Sequence, residues 1–167
     1  QVLVDSEGNT WLASNGRGLY KHFVQDFAQS DVARNSGVMT ILKDRHGATW
    51  VGTMDKGLFK MEGGEIRAYA DSRSPYRNSI HCIKESPEGT IWVGAGFGLG
   101  RYDRHNDSFF WFDKEDGLPG YAVSSIAFDD KGMWLGSGIG LGYYDGKSFK
   151  TFTTKDGLSA NGIWALH

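Results

Sequence analysis

The residues able to do chemistry are few and scattered. Five histidines, His22, His46, His81, His105 and His167, stand in unrelated local contexts, with no HExxH or other metal-ligand spacing. They read as solvated or packing residues. Carboxylates recur at Asp5, Asp44, Glu85 and Asp129, each opening a glycine-bearing turn. A glycosidase-like acid and base need two carboxyls roughly 5–10 Å apart across a sugar, and nothing singles out one pair. The glycine-rich runs 94–100 (GAGFGLG) and 136–142 (GSGIGLG) imitate dinucleotide loops. Such loops must open a helix, whereas these lie between two strands. No GxSxG is present, and Ser, His and Asp form no nucleophile arrangement. The single cysteine, Cys82, excludes an internal disulfide or a Cys-based zinc cluster. No catalytic residue, metal ligand or cofactor is therefore assigned, and chemistry by binding remains.

The elements that would position a binding site are legible from composition and periodicity. The chain has 167 residues, with 24 glycines, 3 prolines and 6 Trp, 7 Tyr and 10 Phe. Abundant turn glycine with aromatics in short alternating runs indicates an all-β chain. A net charge of -2 offers no electrostatic reason to bind nucleic acid or an anionic membrane. No apolar run approaches the roughly 20 residues of a membrane-spanning helix.

A repeat dominates the sequence. Trp11, Trp50, Trp92 and Trp134 recur at spacings of 39, 42 and 42, and Gly8, Gly47, Gly89 and Gly132 precede them. A glycine-leucine pair follows each: Gly18-Leu19, Gly57-Leu58, Gly98-Leu99 and Gly140-Leu141. Each unit reads as four short strands: an apolar one ending in an acid, one holding the tryptophan, one beginning at Gly-Leu, and an aromatic one. In the second strand, residues two apart share a face. Trp11 thus lies beside Ala13, Trp50 beside Gly52, Trp92 beside Gly94 and Trp134 beside Gly136. The small neighbour leaves room for a bulky group from an adjacent sheet. Leu12, Val51, Val93 and Leu135 make the opposite face apolar too. Sheets apolar on both faces suit radial stacking as β-propeller blades.

The segments 44–60 (DRHGATWVGTMDKGLFK), 88–103 (EGTIWVGAGFGLGRYD) and 131–145 (KGMWLGSGIGLGYYD) resemble the two-component regulator propeller repeat. So do the Asp-Gly-Leu loops at 114–126 and 155–166. The likeness covers nearly the whole chain, departing in the first unit's last strand and in loop 72–80, which lacks Asp-Gly-Leu. The resemblance implies a periplasmic sensor region of a bacterial hybrid histidine kinase of Bacteroidetes type, answering to glycan fragments.

The expected fold is all-β, four four-stranded antiparallel blades spanning about 1–37, 38–79, 80–124 and 125–162, with a fifth opening at 163–167. It is expected to be part of a larger ring of about seven blades; closure of four alone, or pairing of two chains, are the alternatives. Recognition is expected in loops that differ between units. The candidates after the fourth strands are Arg34, Arg73, Tyr76, Arg77, Asn78, Tyr121 and Trp164; those between second and third strands are Arg17 and Phe97. Guanidinium forks and aromatic faces suit saccharides. The repeat core is assigned to the four tryptophans with Gly52, Gly94, Gly136, Leu58, Leu99 and Leu141. The expected partner is an oligosaccharide or other small ligand, with a homodimer or neighbouring propeller as a further possibility. A propeller lyase of the streptogramin lyase type and a protein-docking scaffold are the alternative functions.

Overall fold

The computed structural model describes residues 1–5, 8–14, 18–22, 27–29, 32–71 and 74–166. Four antiparallel sheets of four strands follow one another along the chain, each an up-and-down meander. The first contains β1 (Val2–Val4), β2 (Thr10–Ser14), β3 (Gly18–His22) and β4 (Phe27–Gln29). The second contains β5 (Val38–Lys43), β6 (Thr49–Thr53), β7 (Leu58–Glu62) and β8 (Glu65–Tyr69). The third contains β9 (Ile80–Glu85), β10 (Ile91–Ala95), β11 (Gly98–Asp103) and β12 (Ser108–Phe112). The fourth contains β13 (Ser125–Phe128), β14 (Met133–Gly136), β15 (Leu141–Tyr144) and β16 (Phe149–Phe152). The only helical turns among the described residues are 3₁₀, Pro75–Asn78 and Thr154–Asp156, and no helix is long and apolar enough to cross a membrane.

Each sheet grows outward from its first hairpin, and a side-chain clasp forms that hairpin. The Trp50 indole N–H donates to Asp44 at 2.9 Å, while the other carboxylate oxygen accepts the N–H groups of His46 and Ala48. Asp5 does the same with Trp11 (3.0 Å) and Asn9, and Asp129 with Trp134 (2.8 Å), Lys131 and Gly132. One carboxylate thereby shapes the turn and orients the indole across the second strand. Gly8, Gly47 and Gly89 close these turns at φ of 81°, 90° and 90°, a region costly for residues with a Cβ. The third unit corrects one expectation: Glu85 ends β9, and Ser86 occupies the clasp position, its hydroxyl accepting the Thr90 N–H. An acid in sequence does not by itself mark the turn: the turn residue stands six positions before the tryptophan at Asp5, Asp44 and Ser86, and five before it at Asp129.

The chain divides into two compact units, 1–83 and 84–167. In the first, Leu19, Val32, Ala33, Val38, Ile41 and Val51 form a buried cluster, with Leu3, Trp11, Ala13, Phe59 and Met61 packed against it. In the second the packing is aromatic: Trp92, Phe112, Tyr144 and Phe149 meet at centroid distances of 4.5–6.0 Å. Beside Trp50 the small residue has the expected purpose, leaving room for a side chain of the next sheet, while beside Trp134 it leaves room for the paired strand and a loop carbonyl. A Cβ on Gly52 would stand 2.5 Å from Ile80 Cγ2, and one on Gly136 would meet Ser125 Oγ and the Ile163 carbonyl at 2.4 and 2.7 Å. Leu58 and Leu99 are buried, and Leu141 is half-buried. Residues 163–166, expected to open a fifth sheet, form no strand. Ile163 bonds the Ser137 carbonyl at 2.9 Å, as Val123 bonds the Ala95 carbonyl ahead of β13.

The cross-strand neighbour of each tryptophan is Lys21, Lys60, Arg101 or Tyr143. Lys21 and Lys60 place their ammonium groups 5.3 and 5.6 Å from the indole centroids, and Lys60 also pairs with Glu62. In the fourth unit Tyr143 takes this place and donates its hydroxyl to Asp129 at 3.4 Å.

Two outcomes are expected. Replacing the buried Asp44 by Ala strands an indole donor and two amides, costing about 2–3 kcal/mol in urea unfolding. Asp129 is held below the ordinary carboxylate range, first by the Lys131 N–H and then by the Trp134 indole. Asp145 is lowered by the Ser148 and Lys147 N–H groups, and Asp103 chiefly by the Asn106 amide. These groups have folded values below their unfolded ones. Their contribution is therefore complete above the ordinary carboxylate range and lost as pH falls through the folded values, below about pH 4. The urea midpoint should fall in that window, with a shallower fall in Asp129→Asn.

Candidate functional site

The loops linking one sheet to the next are tied to the turn between second and third strands. The Gly57 N–H donates to Asn78 O at 2.9 Å, and the Gly98 N–H to Tyr121 O at 2.7 Å. Asn78 and Tyr121 therefore occupy equivalent positions. Asn161 occupies a third, since Ile163 follows it as Val123 follows Tyr121, and both bond the end of the second strand: Val123 to Ala95 O, Ile163 to Ser137 O.

What stands at this position differs, and the difference builds the site. Asn78 and Asn161 lock their own loops, their side-chain carbonyls accepting the N–H groups of Asp71 and Thr154, each seven residues earlier. Tyrosine has no carbonyl to do this. Tyr121 instead turns its ring onto Phe97, with centroids 5.0 Å apart and planes 21° from parallel. The two rings with Asp113, Lys114 and Glu115 line an open cleft of about 380 Å³. Tyr121 remains 54% exposed, so the aromatic surface is available from solvent.

The loop beneath the cleft is rigid for local reasons. Asp116 accepts the Asp113 N–H, Asp113 accepts the Glu115 N–H, and the Leu118 N–H returns to Asp113 O. Gly117 at φ 92° closes the turn. Loop 153–158 repeats this with Thr153, Asp156 and Gly157. The Asp-Gly-Leu motif is thus a self-capped turn. Beyond it, Pro119 fills the space over Gly142, where a Cβ would be 2.5 Å away, and Gly120 lies against Ile139. Tyr121 is held from both sides.

The structure brings Phe97 and Tyr121 together. It engages Arg77 in an ion pair with Asp71 at 3.6 Å, and Asn78 in the loop lock. Tyr76 and Trp164 are 73% and 76% exposed. The Arg34 carbonyl accepts the Lys56 ammonium, beside a Ser36–Asp55 hydrogen bond. Arg17 and Arg73 lie outside the described residues. Sequence reasoning missed Asp113, Lys114 and Glu115. The available signal was Lys114, seven residues before Tyr121, the interval that links each loop asparagine to its partner. A second cleft in 84–167, of about 260 Å³, has Glu88, Asp129, Asp130, Lys131 and Asp145 in its lining, but Asp129 and Asp145 serve their own turns. Among the described residues no three His, Cys, Asp or Glu side chains gather as a metal site requires.

No protein-family model matches the chain, and no curated protein matches it. Solved structures do. One is the extracellular domain of a protein described as a hybrid two-component system from B. thetaiotaomicron, with a TM-score of 0.78 and 24% identity over 96% of this chain. A second such domain from the same organism gives 0.70 at 17% identity over 93%. Virginiamycin B lyase from Staphylococcus aureus gives 0.67 at 16% over 90% of this chain and 54% of its own. These identities establish fold: the four sheets are β-propeller blades. The chain spans 24% and 23% of the lengths of the two extracellular domains.

Stability separates the two kinds of loop residue. Asn78→Ala should cost about 1 kcal/mol in urea unfolding by releasing the Asp71 amide. Tyr121→Ala should stay within about 0.5 kcal/mol of the parent.

Proposed function

We propose that this chain is a ligand-recognition module of an extracytoplasmic sensor, acting by binding and not by catalysis, with glycan fragments as its ligand class. The observation carrying this reading is the stacked Phe97–Tyr121 pair, at the loop position where two sister loops use an internal asparagine lock. Exposed aromatic faces stack on the C–H faces of pyranose rings, and carboxylates accept sugar hydroxyl bonds; Asp113 and Glu115 stand beside the rings. The fold shared with extracellular domains of hybrid two-component systems, and the repeat's resemblance to their propellers, support the sensor role, a periplasmic location and a kinase as the output. In such a system the ligand would act by favouring one arrangement of the receptor over another.

Screening glycan classes by calorimetry tests the reading. A bound class should lose affinity about threefold to tenfold in Phe97→Ala and in Tyr121→Ala. Binding of no glycan class, alongside capture of a defined protein ligand, would favour the docking-scaffold alternative. Turnover of a bound ligand would favour the lyase.

A further inference from the structure

The recognition cleft already holds a cation. Lys114 places its ammonium 5.3 Å from the centroid of the Tyr121 ring. Asp113 and Glu115 also line the cleft, so two acidic residues share it with one ammonium, and one Asp113 carboxylate oxygen accepts the Glu115 N–H. An ammonium over an aromatic face gains from the ring quadrupole, and the adjacent carboxylates favour the same charge. Aromatic rings and carboxylates around a positive group are the ingredients of a cation site, and the chain's own lysine shows that the Tyr121 face accepts one.

The repeat indicates that this arrangement is particular to one loop. In the sister loops the residue seven before the asparagine, Asp71 or Thr154, is bound through its backbone N–H. Here the equivalent residue is Lys114, and its side chain meets the tyrosine instead. A ligand stacking on Tyr121 must move Lys114 away. A neutral ligand forfeits the cation–π contact and takes the lysine's charge out of a lining that is otherwise acidic. An anionic ligand meets the same carboxylates. A ligand carrying its own ammonium restores what the lysine surrenders, and the tethered lysine, a competitor at high local concentration, excludes the others.

We infer that the Phe97–Tyr121 cleft takes a ligand bearing an ammonium group, such as an amino sugar with an unacetylated amine, and that Lys114 is its built-in competitor. This rests on the reading of the cleft as the recognition site. The test compares the β-1,4-linked glucosamine tetramer with its fully N-acetylated counterpart, two probes differing in charge on one backbone. Calorimetry is run in mildly acidic buffer on the parent chain, Lys114→Met and Tyr121→Asn. Tyr121→Asn installs the residue the sister loops carry, and an unchanged urea midpoint certifies its fold.

The glucosamine tetramer should bind more tightly than the acetylated one. Lys114→Met should tighten it by about twofold to fivefold, and Tyr121→Asn should abolish the preference. Equal or tighter binding of the acetylated probe, weakening by Lys114→Met, or binding of neither probe overturns the inference. If another glycan binds and loses affinity in Tyr121→Asn, recognition at the cleft stands without the ammonium preference. If Tyr121→Asn changes the binding of no ligand, the cleft is not the recognition site and both readings fall.

Discussion

The bond from a turn carboxylate to the indole of the second strand is the interaction on which three of the four blades depend. It joins three requirements in one group. The carboxylate bonds the amides of a tight turn, receives the indole N–H that would otherwise be buried without a partner, and so sets which face of the strand the ring covers. Asp44 shows the most enclosed version, with Trp50 fully buried. With the ring's place decided, its neighbour on that face must be small, because Ile80 occupies the volume next to Gly52. The cross-strand Lys60 then lies over the ring. The third unit keeps the turn with a serine hydroxyl in place of the carboxylate, and its Trp92 packs among Phe112 and Tyr144.

That framework makes the connecting loops predictable in backbone and free in side chain. The loop carbonyl bonds the glycine that starts the third strand, and the residue two further on bonds the end of the second strand. These main-chain bonds are indifferent to residue type. The side chain at that position can therefore change from amide to aromatic ring without disturbing the blade. Where it is asparagine, the loop closes on itself; where it is Tyr121, an aromatic surface opens beside Phe97. Main-chain bonds carry the fold here, so a repeat can vary the side chain of one loop without loss of fold.

The proposed reading as a recognition module draws on this separation. The chemistry-bearing residues that recur, such as Asp5, Asp44 and Asp129, are engaged in turns. The residues that do not recur, Phe97, Lys114 and Tyr121, share a cleft. A recurring carboxylate in a repeat protein is tied to the fold common to all units, while a unique aromatic at a tolerant position can meet something outside the chain.

Period and composition by themselves determined the blade count, the strand order within each unit and the side of the strand on which each tryptophan lies. These are local quantities: alternation decides the face, and turn glycines decide where the chain reverses. Sequence also named Phe97 and Tyr121, because both break the repeat in loops. Only tertiary structure decided that these two meet, although 24 residues separate them in sequence; that contact depends on a loop crossing to the neighbouring hairpin and bonding Gly98. Structure likewise turned Asn78 and Arg77 inward to their own loop and moved the third clasp from Glu85 to Ser86. Each outcome rests on a partner distant in sequence or on a register one residue away, and neither is encoded in residue type alone.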